Sequence, residues 1–117
     1  MKKILISENS PEQGHMLSLM LKKVGFDVIQ KMDLAQLKQQ VTQQDVRAVI
    51  LDIMMPEISG DMLITEIRKI DPMIPIVMIT AVTNNEMRIK CMQRGANYYM
   101  TKPVSLADME TVFKQYL

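Results

Sequence analysis

Five short runs of apolar, β-prone residues recur along the chain, at Ile4 to Ser7, Phe26 to Ile29, Ala48 to Leu51, Ile74 to Thr80 and Asn97 to Met100. Their apolar side chains tend to occupy consecutive positions instead of alternate ones, which marks strands covered on both faces. A helical pattern follows each run. The alternation of strand and helix predicts an α/β fold in which helices sandwich a parallel sheet.

The helical stretches carry their own start and stop signals. Ser10 is placed to cap the first, with Pro11 at its opening position, and Met16, Leu17, Met20, Leu21 and Val24 share one face before Gly25, where a left-handed terminal residue belongs. Asp33 and Gln36 suit the cap of the second, whose apolar positions are Leu34, Leu37 and Val41. The third, over Gly60 to Ile70, is expected to bury Leu63, Ile67 and Ile70 and to stop at Asp71-Pro72. Thr83 and Glu86 form a capping-box pattern for the fourth, which ends at Gly95. Ser105 and Asp108 open the fifth, with Leu106, Met109, Val112 and Phe113 on its buried side.

Length and composition narrow the reading further. The 117 residues fit one domain over 1–117, with 48% hydrophobic and 23% charged residues as in a folded globular chain. A formal charge of +1 gives no global electrostatic case for nucleic acid or an anionic membrane, and the pairs Lys2-Lys3 and Lys22-Lys23 read as solvated surface. No apolar stretch approaches the roughly 20 residues needed to span a bilayer. A lone Cys91 and an N-terminus that turns polar too early for a signal peptide point to the cytosol. Thirteen methionines are many for this length; their spacing reads as core filling, with a metal-binding or adaptable binding surface as the rival.

In an open α/β sheet, ligands bind beyond the carboxyl ends of the strands, where loops converge and helix N-termini point. The residues expected there are Glu8 and Asn9 after the first strand, Asp52 after the third, Thr80 closing the fourth and Lys102 after the fifth. A carboxylate straight after four apolar residues sits at the rim of a central strand, where desolvation is costly unless a cation or a covalent reaction uses it. Taken singly, Asp52 also reads as a loop acid or a helix cap, Lys102 as its salt-bridge partner and Thr80 as a β-branched strand residue. Together they suit phosphoryl transfer: Asp52 as nucleophile giving an acyl phosphate, Mg²⁺ neutralising charge, Lys102 and Thr80 holding phosphoryl oxygens.

Four segments carry a family likeness. ILISENSPE resembles the opening strand and acidic turn of response-regulator receivers, AVILDIMMPEISG their phosphoacceptor strand and loop, IPIVMITA their fourth strand and GANYYMTKP their fifth. The resemblance covers essentially the whole chain. It implies a flavodoxin-like (βα)5 sandwich of strand order 2-1-3-4-5, a CheY-like member of two-component or phosphorelay signalling, and phosphorylation of Asp52 by a histidine kinase or phosphotransfer protein. It also implies metal ligation by Glu8, Asn9, Asp52 and the Met54 backbone carbonyl, Met54 being in addition where the family tunes access of water. Lys102 is then the site's amine before a cis Pro103. Thr80 and Tyr99 become a switch that reshapes the face of the fourth helix, fifth strand and fifth helix for an effector or a fused output domain, with Tyr98 pointing the opposite way. Homodimerisation through that face is a family expectation.

One departure matters. Receivers usually carry two acids in the turn where this chain has Glu8 and Asn9, so one negative charge is missing and weaker Mg²⁺ affinity is expected. Ser7 also replaces a more usual aliphatic residue. His15, alone in the first helix, reads as surface, and Cys91 as structural. Neither G-x-x-x-x-G-K nor G-x-G-x-x-G occurs, and aromatic residues are only 4%, against a nucleotide- or flavin-binding protein. The sequence therefore reads as a phosphoacceptor and not a turnover enzyme. A pseudo-receiver that binds partners without phosphorylation is the alternative, resting on Asn9.

Overall fold

The computed structural model describes residues 2–30 and 33–117. In chain order the elements are β1 (Lys3–Ser7), α1 (Pro11–Val24), β2 (Asp27–Gln30), α2 (Leu34–Val41), β3 (Val46–Leu51), α3 (Gly60–Ile70), β4 (Ile76–Thr80), α4 (Asn85–Arg94), β5 (Tyr98–Thr101) and α5 (Leu106–Phe113), followed by a 3₁₀ turn at Lys114–Tyr116. The strands form one parallel sheet in the order β2-β1-β3-β4-β5, the flavodoxin-like arrangement expected from the sequence.

Strand neighbours feed opposite cores, which is why their apolar residues run consecutively. Ile4, Ile6, Ile50, Val77 and Ile79 pack with Leu17 and Leu21 of α1 and Met109 and Phe113 of α5. Leu5, Val49, Leu51 and Met78 face the other way, onto Leu37 of α2, Leu63, Ile64 and Ile67 of α3 and Cys91 of α4. Burying both faces of β1, β3 and β4 leaves their carboxyl ends as the place where polar side chains emerge.

Caps fix where most helices begin. The Ser10 hydroxyl accepts from the Gln13 N–H, and reciprocal capping boxes join Asp33 to Gln36 and Ser105 to Asp108. The fourth helix differs from expectation: Asn84, not Thr83, is its cap, accepting from the Met87 N–H at 3.0 Å. The reading of Thr83 with Glu86 was one residue early because Asn84 satisfies the same kind of donor. Gly95 closes α4 with φ of 118°, a conformation costly for any residue with a Cβ.

Other boundaries shift with the hydrogen bonding. β3 begins at Val46 instead of Ala48, alongside Lys3, and β4 begins at Ile76, after Pro75, instead of Ile74. Asn97 is not a strand residue; its side-chain oxygen accepts from the Ile76 N–H and so clamps the start of β4. Ile70 is 38% exposed, at the last position of α3, and not buried as expected. Core filling describes Met78 and Met109, but Met16, Met54, Met62, Met73 and Met92 are exposed, so periodicity overstated that role.

Candidate functional site

The carboxyl ends of β1, β3, β4 and β5 bring Glu8, Asp52, Thr80 and Lys102 together. Asp52 lies one residue past β3 and is only 4% exposed. Its Oδ2 accepts from Lys102 Nζ at 2.6 Å, and its Oδ1 from the Thr80 hydroxyl at 2.7 Å and the Met54 N–H at 3.0 Å. Lys102 also donates to Glu8 Oε2 at 2.8 Å, so one ammonium bridges two buried carboxylates. Glu8 is oriented by its Oε1, which accepts from the Ser10 N–H at 3.1 Å.

The electrostatics follow from this sharing. Burial works against a charge on Asp52, yet Lys102, the Met54 N–H and the Thr80 hydroxyl hold its carboxyl below the usual range. Burial pushes Glu8 up, and Lys102 only partly offsets it. Desolvation would lower the Lys102 ammonium, but the Asp52 and Glu8 carboxylates raise it. At neutral pH Asp52 is therefore an ionised, oriented carboxylate whose oxygens face three donors, the state a nucleophile requires.

The Lys102 N–H is tied to the Thr80 carbonyl at 2.8 Å, which holds Lys102 at the end of β5 beside the site, and the Lys102-Pro103 bond that follows is cis. Tyr99 and Tyr98 leave β5 on opposite faces as alternation requires. The Tyr99 hydroxyl donates to the Val82 carbonyl at 2.7 Å, whereas Tyr98 accepts from the Gln115 amide on the α5 side. Asn9 is exposed in the turn after β1, and the Met54 side chain is 62% exposed. His15 is exposed on α1, away from the cluster. Cys91 is fully buried, and burial foremost, then the Asp61 charge, pushes its thiol up to about 11, as suits a structural cysteine.

Two residues escaped the sequence reading. Gly60 opens α3 so close to the Asp52 backbone that a Cβ there would overlap the Asp52 carbonyl. Asp61 is 3% exposed, although a first-turn acid ordinarily reads as helix surface. The sequence marks the glycine only as the start of the third helix, because close approach is a tertiary fact. Asp61 carried no signal beyond its place in the first turn.

The family model of the response regulator receiver domain matches residues 4–114. The chain belongs to that family. This receiver is 34% identical over 109 residues to the probable transcriptional regulator ycf27 of Guillardia theta, covering 93% of its own length and 42% of that protein. It is 28% identical over 116 residues to the alkaline phosphatase synthesis transcriptional regulatory protein PhoP of Bacillus subtilis, with 99% and 48% covered. The chain thus spans about half the length of the curated relatives it matches. Among solved structures, it is similar to the receiver domain of the sensor histidine kinase PA1611 from Pseudomonas aeruginosa PAO1, which has a magnesium ion coordinated in its active site cleft. That likeness has a TM-score of 0.85 and 26% identity, and covers 98% of this chain and 96% of the other.

Proposed function

We propose that this receiver accepts a phosphoryl group on Asp52 from a phosphohistidine of a histidine kinase or phosphotransfer protein, and passes the change to an effector or output domain. The observation that carries this reading is the Asp52 carboxylate, ionised and held by Lys102 at 2.6 Å and Thr80 at 2.7 Å. A carboxylate oxygen attacks phosphorus, the bond from phosphorus to the imidazole nitrogen breaks, and the imidazole leaves with the bonding electron pair. Lys102 and Thr80, no longer paired with a free carboxylate, then donate to phosphoryl oxygens. The chain takes part in its own phosphorylation without turning over as an enzyme.

The donor set suits a small hard cation. Glu8, Asn9, Asp52 and the Met54 backbone carbonyl offer only oxygen, as Mg²⁺ prefers. No group of three His, Cys, Asp or Glu side chains converges among the described residues, since the turn holds Asn9 beside Glu8. When bound, Mg²⁺ would neutralise charge on the transferring group. Its affinity is expected to be weak, because Lys102 already offsets one of only two negative charges.

Thr80 and Tyr99 make up the proposed switch. The Val82 N–H donates to the Thr80 hydroxyl oxygen at 3.3 Å and the Val82 carbonyl accepts from Tyr99, so moving Thr80 onto a phosphoryl group pulls on the loop that holds Tyr99. The face of α4, β5 and α5 changes with it and is the surface offered to an effector, an output domain or a second copy. No helix among the described residues is long and apolar enough to cross a membrane; a cytoplasmic location is proposed on the single Cys91, a buried free thiol, as suits a reducing compartment.

Beryllofluoride, which mimics a phosphoryl group on a carboxylate, tests the reading. With Mg²⁺ present it is expected to shift the amide resonances of Asp52, Thr80 and Tyr99, and to leave the Asp52→Ala variant unchanged. Asn9 favours a second reading, an interaction module that is not phosphorylated, and absence of any shift at high Mg²⁺ would establish it over the first.

A further inference from the structure

α4 is weakly held by apolar packing. Cys91 is its one buried residue; Arg88, Ile89, Lys90, Met92 and Gln93 are exposed and Met87 is half-buried. α3 beside it is firmly seated, burying Leu63, Ile64 and Ile67 and starting at Gly60, whose N–H donates to the Ile53 carbonyl at 3.1 Å. Between the two lies Asp61. Its buried carboxylate faces Lys90 Nζ at 3.2 Å and Arg94 Nη1 at 3.9 Å, both from α4. Arg94 also donates to the Asp61 carbonyl at 3.3 Å and the Thr65 hydroxyl at 3.4 Å.

A buried carboxylate cannot be left without its counter-charges, so moving α4 away from α3 exposes a cost that apolar contact alone would not impose. Gly60, the residue before Asp61, rests on the Asp52 backbone, which fixes the anchor end of this clasp to the phosphoacceptor loop. We infer that Asp61 is a positioning residue whose carboxylate holds α4 against α3 through Lys90 and Arg94, and so sets how readily the α4 face responds at Asp52. The second half rests on the proposed phosphorylation of Asp52; the first half does not. A first-turn acid acting only on the dipole of its own helix would be indifferent to Lys90 and Arg94.

Hydrogen exchange of the full chain separates these roles. Asp61→Asn is expected to speed exchange of the α4 amides about fivefold while α1 is unchanged, the factor expected from losing a partly exposed pair. Lys90→Gln with Arg94→Gln, which removes both counter-charges without touching a buried apolar side chain, should do the same, and adding them to Asp61→Asn should bring little more. Additive effects, or unchanged α4 exchange in the Lys90 and Arg94 double variant, would overturn the clasp. Beryllofluoride with Mg²⁺ should bind the variants more tightly than the native chain, by up to the same factor. Equal binding would overturn the link to the switch. No binding by any of them, with α4 exchange responding as expected, would sink the phosphorylation reading and leave the clasp standing.

Discussion

The Tyr99 hydroxyl donates a 2.7 Å hydrogen bond to the carbonyl of Val82, whose own N–H donates to the Thr80 hydroxyl oxygen at 3.3 Å. Tyr99 is thereby joined to Asp52 through two residues, since Thr80 donates to Asp52 Oδ1. Tyr99→Phe removes the last link alone. It is expected to lower stability by about 1 kcal/mol, the net worth of one hydrogen bond. It should also weaken the response of the β4–α4 loop to beryllofluoride, read from the Val82 amide shift. A Val82 response equal to that of the native chain would show that the link carries no signal.

Lys102 is the only ammonium shared by Glu8 and Asp52 among the described residues. Lys102→Met leaves two buried carboxylates facing each other, which is expected to cost about 2–3 kcal/mol, discounted for the partial exposure of the lysine. Mg²⁺ replaces the missing charge, so millimolar Mg²⁺ should raise the melting temperature of the variant more than that of the native chain. Equal shifts in both proteins would show that metal and lysine do not compete for the same carboxylates.

The pH dependence has a definite sign. Asp52 titrates below its ordinary value of 3.8 in the fold, so its ionised form contributes stability that is present above 3.8 and is lost as pH falls through the lower, folded value. Glu8 runs the other way: raised above 4.5, it contributes stability below 4.5 that is lost as pH rises through its folded value. The gap in urea stability between the native chain and Asp52→Asn should therefore change as pH falls below 3.8, by loss of the native chain's stability. A gap constant from pH 6 down through about 3 would contradict the ion-paired state of Asp52.

Much of this could be read from the chain, for physical reasons that differ by residue. Asp52, Lys102 and Thr80 were legible because a parallel sheet delivers strand-end residues to one place, and the family motifs name the same positions. The Glu8–Lys102 pair was not foreseen, since the sequence offered Lys102 one carboxylate partner and gave no measure of how near β1 and β5 come at that end. Asp61 and Gly60 depend on the approach of α3 to its neighbours, which no local pattern encodes. Methionine spacing misled for a related reason: an unbranched side chain suits a core, yet Met73 is 82% exposed in the loop after α3.

Asn9 sets the expected metal affinity. Asn9→Asp adds one carboxylate to the donor set and is expected to tighten Mg²⁺ binding by roughly an order of magnitude. Calorimetric titration of both proteins measures it. Unchanged affinity would mean that position 9 does not face the cation.

The central claim is that Asp52 is a working phosphoacceptor despite Asn9. Intact-protein mass after incubation with acetyl phosphate and Mg²⁺, for the native chain and for Asp52→Ala, tests it most directly. A gain of one phosphoryl group in the native chain and none in the variant is the predicted result. No gain under conditions that label a receiver with both acids, or the same gain in both proteins, would contradict it.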